Sequence, residues 1–286
     1  MSGAPGLSLI HASAVIHSAA HVAAGARIGA GCRIGPGCVV SAESVLGEGV
    51  ELIAHVVLDG RVTLGDGVKV FPFATIGLPP QDLKYKGEPT SVEIGPRTQV
   101  REHSTIHRGS TGSGGVTRIG ADCLLMCVVH VGHDCTVGNN VILVNNVMLA
   151  GHVEIGDFAV ISGGSAIQQF VRVGRMAMVA GMSGVERNVL PYGRAKGYRA
   201  KLYGLNTIAM RRRLGMSKER VMAVARVVHE LYRAPRPDEA APLLAAQYPE
   251  DALLQEILRF AGERGRHGLV PFGRSAPEDE DAGEAA

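Results

Sequence analysis

His133 and His152, Asp134 beside the first, and Gln168 and Gln169 one repeat further on are the residues of this chain best suited to chemistry. Imidazole titrates near neutrality, so a positioned histidine can take a proton from a hydroxyl and return it to a leaving group. Gly151, immediately before His152, adds a backbone N–H that an oxyanion could approach with no side chain in the way. The set suits acyl transfer to a hydroxyl. An alcohol is too weak an acid to attack a thioester unaided, and the tetrahedral intermediate needs a hydrogen-bond donor. Asp134 or His152 would orient or polarise the base, with His133 the expected base. Any single histidine on a turn is ordinarily a surface residue, which is the reading kept for His11, His17, His21, His229 and His267. Architecture separates His133 and His152 from these.

That architecture is a repeat of six. An aliphatic residue recurs at every sixth position from Ile10 to Ile76, again from Ile94 through Val100 to Ile106, and again from Ile119 to Val185. Four residues after it stands a small one, as at Ala14, Ala26, Cys32, Cys38, Cys123, Cys135 and Ala159. Half-buried strands alternate with period two and helices repeat near 3.6, so neither sustains this pattern. A short flat strand followed by a sharp corner does. Three such sides close a coil, and coils stack at roughly 4.8 Å. The expected fold is mainly β: a left-handed parallel β-helix of about nine coils over residues 1–190, capped by an α-helical region over 191–272.

Two segments, about 82–93 (DLKYKGEPTSVE) and 107–118 (HRGSTGSGGVTR), interrupt the register. Both follow the third hexad of a coil, so both leave the same edge of the prism. His133 and His152 lie in third hexads of successive coils, as do Gln168 and Gln169 in the next. Gly151 stands eighteen positions after His133, one full coil above it. Loops in repeat proteins gather on one face, often the binding face. The repeat alone therefore places two loops, two histidines and two glutamines on one strip.

Composition sets the other bounds. A formal net charge of +2 gives no reason to expect a nucleic-acid partner. No apolar run approaches the about 20 residues that span a bilayer, and the first residues lack a signal-peptide pattern, so a soluble cytoplasmic protein is expected. Four of the five cysteines fall on the small interior position, which reads as buried hydrophobes rather than disulfides. After Leu190-Pro191 the hexads stop. Residues near 198–212 read as a helix; Ser217 caps a second carrying Val221, Val224, Val228 and Leu231 on one face; Pro235 and Pro237 break it; a third follows Pro249. The acidic tail 273–286 is expected to be disordered. Zinc is the competing chemistry, since three histidines on a left-handed β-helix bind it in γ-class carbonic anhydrases. His130, His133 and His152 would be the set, but His130 closes a second hexad and points from another side, so no metal is expected.

Individual segments go further. PQDLKYKGEPT (80–90), VREHSTIHRGS (100–110), HVGHDCTVGNN (130–140), LAGHVEIGDFAVI (149–161) and GLNTIAMRRR (204–213) resemble the UDP-N-acetylglucosamine acyltransferases that open lipid A biosynthesis. The resemblance implies transfer of an (R)-3-hydroxyacyl chain from acyl carrier protein to the glucosamine 3-OH of UDP-GlcNAc, with no cofactor of the enzyme's own. It implies a homotrimer with sites in the clefts between prisms. His133 matches the catalytic base and Gly151 the oxyanion amide, while His130 and His152 match substrate-contacting histidines. Gln81, Asp82 and Lys84 match sugar and phosphate contacts. Gln169, Asn206 and Arg212 match positions near the acyl donor or the diphosphate, the last two reaching a neighbouring subunit's site. Arg213 joins them on the same basic helix end. Gly181 matches the acyl-chain ruler, where a glycine implies a long chain, and Met176, Met178 and Met182 nearby could shorten it.

The chain departs from the familiar members at Gln168, where they carry histidine, and at Ile208, a position often acidic. Both departures bear on the acceptor, including whether a 3-amino analogue of UDP-GlcNAc is used. The related N-acyltransferase carries an N-terminal uridine-binding domain, for which hexads beginning at Ile10 leave no room. Hexapeptide acetyltransferases that use acetyl-CoA share the repeat but not QDLKYKGEPT.

Overall fold

The inward aliphatic of each hexad drives the architecture, and it is almost wholly removed from water: Ile28, Val40, Leu58, Ile76, Val100, Val131, Leu149 and Val179 are each at most 3% exposed. In the computed structural model, which describes residues 9–263 and 265–273, these side chains fill one continuous core. Each hexad forms a strand of mostly two residues, such as Val39–Val40, and then turns a corner. Strands pair in parallel with those eighteen residues on, as Val15 with Arg33 and Ile16 with Ile34. They collect into three sheets of eight, eleven and nine strands, which are the first, second and third faces of a prism, taken in hexad order from Ile10. The fold is a left-handed parallel β-helix with a helical C-terminal part. Cys32, Cys38, Cys123 and Cys135 are buried and free, and Cys127 is free and half-buried.

The corners need one residue with positive φ, and here it is often not glycine: Phe73, Val128, Asp134, His152 and Phe170 all have φ between 58° and 66°. The conformation recurs all along the prism, so at Asp134 and His152 it follows from the corner and is not a strain peculiar to the site. It turns those side chains outward in a vertical ladder.

The loops leave as the register requires. Each follows a strand of the third face, Thr75–Leu78 or Thr105–His107, and returns in a strand of the first, Ser91–Ile94 or Val116–Ile119. The first is shifted from the bounds the sequence suggested and the second is shorter. Ser91–Ile94 pairs residue for residue with Arg61–Leu64 and with Val116–Ile119, so the loops proper are 79–90 and 108–115.

Beyond the last coil the helix expected near 198–212 is largely replaced by an antiparallel hairpin, Gly193–Lys196 with Lys201–Leu205, added to the second face. Positive φ at Gly197 and Gly204 suits the turn and would break a helix. Helix α1 (Thr207–Leu214) follows, capped by Asn206, whose side chain accepts from the Ala209 amide. Ser217 caps α2 (Lys218–Arg233), with Val221, Val224, Val228 and Leu231 buried. A further helix, α3 (Pro237–Ala245), begins where a break was expected, because Pro237 sits in its first turn and loses no hydrogen bond there. Helix α4 (Ala252–Gly262) closes the cap through Leu254, Ile257 and Leu258. Of the acidic tail only Gly273 lies within the described residues. No described helix is long and apolar enough to cross a membrane.

Candidate active site

His133 stands at the corner leaving the third face, its imidazole 11% exposed, and its Nδ1 lies 2.8 Å from Asp134 Oδ2. Asp134 is held from several sides. The Ser110 hydroxyl donates to Oδ2 at 2.7 Å, the Ser110 amide reaches both oxygens at 3.0 Å, and the Asp134 amide donates to Thr117 Oγ1 at 2.9 Å. Burial works to raise this carboxyl, but the hydrogen bonds from His133 and Ser110 outweigh it and hold it below the ordinary aspartate range. An ionised carboxylate only accepts, so His133 Nδ1 must carry the proton and donate. The neutral ring then presents a bare Nε2. That is the atom a general base uses.

Gly151 lies over that nitrogen. A Cβ at position 151 would come within 2.6 Å of His133 Nε2, so only glycine leaves the space above the imidazole open. Among the described residues nothing accepts from the Gly151 N–H. A lone pair and an open amide thus face the same small volume, as proton abstraction beside a developing oxyanion requires.

His152 stands edge-on to His133 with ring centroids 4.9 Å apart, and its Nε2 is 3.9 Å from Asp134 Oδ2. Burial lowers its pKa, with Asp134 pulling the other way. Phe170, the next rung of the ladder, stacks on His152 at 4.4 Å. Below the strip His130 belongs to the third-face strand His130–Val131. Its Nδ1 is 2.7 Å from Thr105 Oγ1, and its ring meets His107 edge-on at 4.9 Å. Burial and the neighbouring His133 lower the pKa of His130. Burial, followed by His130 and His133, pushes His107 down to about 4. His130 therefore adjoins the strip, where the sequence reading had it on another side.

The first loop folds over the same edge. Asp82 Oδ1 accepts from the Lys84 amide at 2.9 Å, and Tyr85 donates to the Glu88 carbonyl at 2.7 Å. Asp82, Lys84, Ser110, His152 and Gln169 line one cleft of about 380 Å³. A groove of about 1010 Å³ lies elsewhere, between the first face and α4. Two of its arginines are already paired, Arg172 with Glu154 and Glu263 and Arg175 with Glu256, and no histidine lines it.

The expected residues fall at three corners of the prism. His133, Asp134, Gly151, His152, His130, Asp82, Lys84 and Gln169 come together at the loop edge. Gln81 and Gln168 are exposed at its margins. Asn206, Arg212 and Arg213 sit at the opposite corner, between the first and second faces. There Asn206 donates to the Met176 carbonyl at 3.0 Å and Arg213 lies over Phe158 at 5.1 Å. Gly181 occupies a third corner, between the second and third faces. Met176 is only 2% exposed, so its buried side chain cannot border a groove at Gly181 as the sequence reading supposed. Met182, 78% exposed, is the methionine available there.

His130, His133 and His152 do not assemble as a zinc set among the described residues. Three donor atoms that do come within 4.8 Å of one another belong to His133, Asp134 and His152, in place of a set with His130. Asp134 already accepts from His133 and Ser110, so the trio is bonded within the protein as a base and its orienting carboxylate. Ser110, Thr117 and His107 escaped the sequence reading. The first two act only through a fold that returns a loop to Asp134, but His107 stood in the quoted TIHRG segment.

A hexad prism with a carboxylate-oriented histidine under an open glycine amide defines a hexapeptide-repeat transferase, and the bacterial transferase hexapeptide model matches residues 8–42 and 117–151. Residues 188–270 match the second domain of UDP-N-acetylglucosamine O-acyltransferase. The solved UDP-N-acetylglucosamine acyltransferase of Campylobacter jejuni is 35% identical over 93% of this chain and 100% of its own, with a TM-score of 0.80. That of Francisella novicida is 35% identical over 92% and 94%, with a TM-score of 0.78. That of Bacteroides fragilis is 32% identical over 91% and 99%, with a TM-score of 0.79. The chain belongs to the UDP-N-acetylglucosamine acyltransferase family and is an acyltransferase.

Proposed function

We propose that this chain transfers an (R)-3-hydroxyacyl group from acyl carrier protein to the 3-OH of UDP-GlcNAc in lipid A synthesis. One observation carries the reading: His133 is oriented by an ionised Asp134 so that its free Nε2 faces the open Gly151 amide. Nε2 takes the proton of the sugar hydroxyl as its oxygen attacks the thioester carbonyl. The oxyanion that forms accepts from the Gly151 N–H. Collapse breaks the carbon–sulfur bond, and the protonated His133 returns the proton to the departing pantetheine thiolate. Ester and free carrier thiol are the products, with no cofactor consumed. His152 and the first loop hold the sugar, and Lys84 meets phosphate.

The active unit is a homotrimer. The first face carries Arg118 paired with Glu93 and Arg172 paired with Glu154, a surface suited to water. The second face carries Arg33 and the Glu51–Lys69 pair in its N-terminal coils, but further on the second and third faces present Leu124, Ile142, Val160, Met178, Met148 and Ala166 outward, and Phe73 and Val128 stand about half exposed at their shared corner. Apposing these apolar faces would bring the Asn206–Arg213 corner of one subunit to the histidine edge of the next.

Incubation with UDP-GlcNAc, its 3-amino analogue and a ladder of 3-hydroxyacyl carrier proteins tests the reaction by product mass. A 3-O-ester of UDP-GlcNAc is expected, with the longest chains preferred because Gly181 leaves its corner open. No transfer from any donor would refute the reading, and preference for a ten-carbon over a fourteen-carbon donor would refute the ruler. His133→Ala should lower kcat at least about 100-fold.

A further inference from the structure

We infer that Arg266, in the segment after α4, binds a phosphate group of a substrate at the mouth of the histidine cleft. The inference rests on the acyl-transfer reading above. The Arg266 guanidinium lies 3.7 Å over the Phe170 ring. The other face of that ring stacks on His152, which stands edge-on to His133. A cation therefore ends a row of ring contacts that begins at the base. Its place is fixed by the residues that follow it. His267 Nε2 lies 2.9 Å from the Gln169 carbonyl oxygen, and Asn188 donates from Nδ2 to the His267 carbonyl at 2.6 Å and from its amide to the Gly268 carbonyl at 2.9 Å. The segment is thus stitched to the last coils, and the arginine is held over the cleft without a loose tether.

Charge supplies the second observation. Arg266 lines the same cleft as Lys84, and among the described residues neither has a carboxylate within ion-pair distance. The cleft's acids are engaged with backbone: Asp82 accepts from the Lys84 amide and Glu88 from the Lys86 amide. The turn beneath carries Gln168 and Gln169, which have no charge to offer. Asp82 and Glu88 keep their charge but are turned to backbone amides, so Lys84 and Arg266 remain free to share an anion, and a guanidinium fork matches two phosphate oxygens. Stacking on Phe170 holds the fork in one orientation before the ligand arrives. The reaction offers two phosphates, the diphosphate of the nucleotide sugar and the phosphodiester of the carrier's phosphopantetheine arm.

Titration calorimetry and steady-state kinetics on Arg266→Gln and Arg266→Lys test this, with melting temperatures as a check on folding. UDP-GlcNAc is one probe. The other is a pair of 3-hydroxyacyl donors, acyl-phosphopantetheine and acyl-pantetheine, which differ only in the phosphate. Arg266→Gln should weaken one phosphate-bearing substrate about tenfold in Kd and KM, leave kcat within about twofold, and melt as the parent does; Lys should recover part of the loss. A rise for UDP-GlcNAc identifies the diphosphate. Loss of the parent's preference for acyl-phosphopantetheine identifies the carrier's phosphate. Unchanged affinities and donor preference would overturn the inference. So would a fall in kcat with a displaced pH profile and unchanged KM values, since Arg266 would then act only on Phe170 and His152. Failure of the acyl-transfer reading would show separately, as an absence of product from the parent protein.

Discussion

Asp134 receives every hydrogen bond its surroundings offer, and that fixes which nitrogen of His133 is free. Asp134→Asn keeps the shape but removes the charge, so Nδ1 is no longer forced to hold the proton and a share of the rings will present the wrong tautomer. We expect kcat to fall at least about 100-fold with KM for UDP-GlcNAc little changed. Gly151→Ala addresses the same volume differently. Its new methyl would meet His133 Nε2 at 2.6 Å, while the backbone at 151 can accept alanine. Activity should drop by a similar factor with the melting temperature nearly unchanged; full activity would show that the space above Nε2 is not used. His107 yields a pH prediction. It is buried and neutral in the folded chain with its pKa at about 4, whereas the unfolded chain takes the proton near 6.5. The unfolded state thus binds more protons between those values, so stability is fully present above pH 6.5 and declines as pH falls through the window. The most this group can remove is on the order of 3 kcal/mol. His107→Asn should flatten the decline of melting temperature between pH 6.5 and 4, and an unaltered slope would assign it to other groups.

At the scale of elements, what was legible depended on whether a residue's neighbours are local or distant. The hexad is a local rule, since each aliphatic is buried by the coils directly above and below. It fixed the prism, the loop edge and the stacking of Gly151 over His133. Past Val185 no such rule operates. The hairpin of residues 193–205 has enough spaced apolar residues to pass for helix, and its true signal was the pair of glycines at 197 and 204. Helix α3 was hidden because Pro237 acts as an N-terminal residue there and not as a breaker. Met176 was misjudged because five residues before a ruler glycine is, in this fold, one corner away and indoors. The cap is bound to the prism through Tyr192, which donates to Glu256 of α4 at 2.6 Å while its carbonyl accepts from the Asn206 amide at 2.6 Å. Tyr192→Phe leaves Glu256 short of a partner. We expect a loss of about 1–2 kcal/mol in chemical denaturation. A smaller fall in activity should accompany it, since Asn206 begins the helix that carries Arg212. An unchanged denaturation midpoint would show that α4 docks by apolar contact alone.

At the scale of the molecule, the residues assigned to the proposed site lie at two separate corners of one chain. The base and its loops occupy the corner between the third and first faces, and Asn206, Arg212 and Arg213 occupy the corner between the first and second. In the proposed trimer a second chain brings the latter to the former, and the apolar C-terminal parts of the second and third faces offer the surface on which it would lie. Val128→Glu puts a charge on the corner those two faces share, a full face away from His133, in a conformation that Val128 already strains at φ 63°. Light scattering should find monomers with the circular dichroism of the parent, and product formation should fall at least about 100-fold because each base has lost the neighbouring arginines. Subunit mixing then asks whether the halves do combine across chains. His133→Ala and Arg212→Ala, each nearly inactive alone, are unfolded and refolded together. Random trimers place an intact His133 beside an intact Arg212 at about a quarter of the interfaces, so about a quarter of parental activity should return. Arg212 serving its own chain's site would restore none, and a Val128→Glu monomer of full activity would remove the need for a partner.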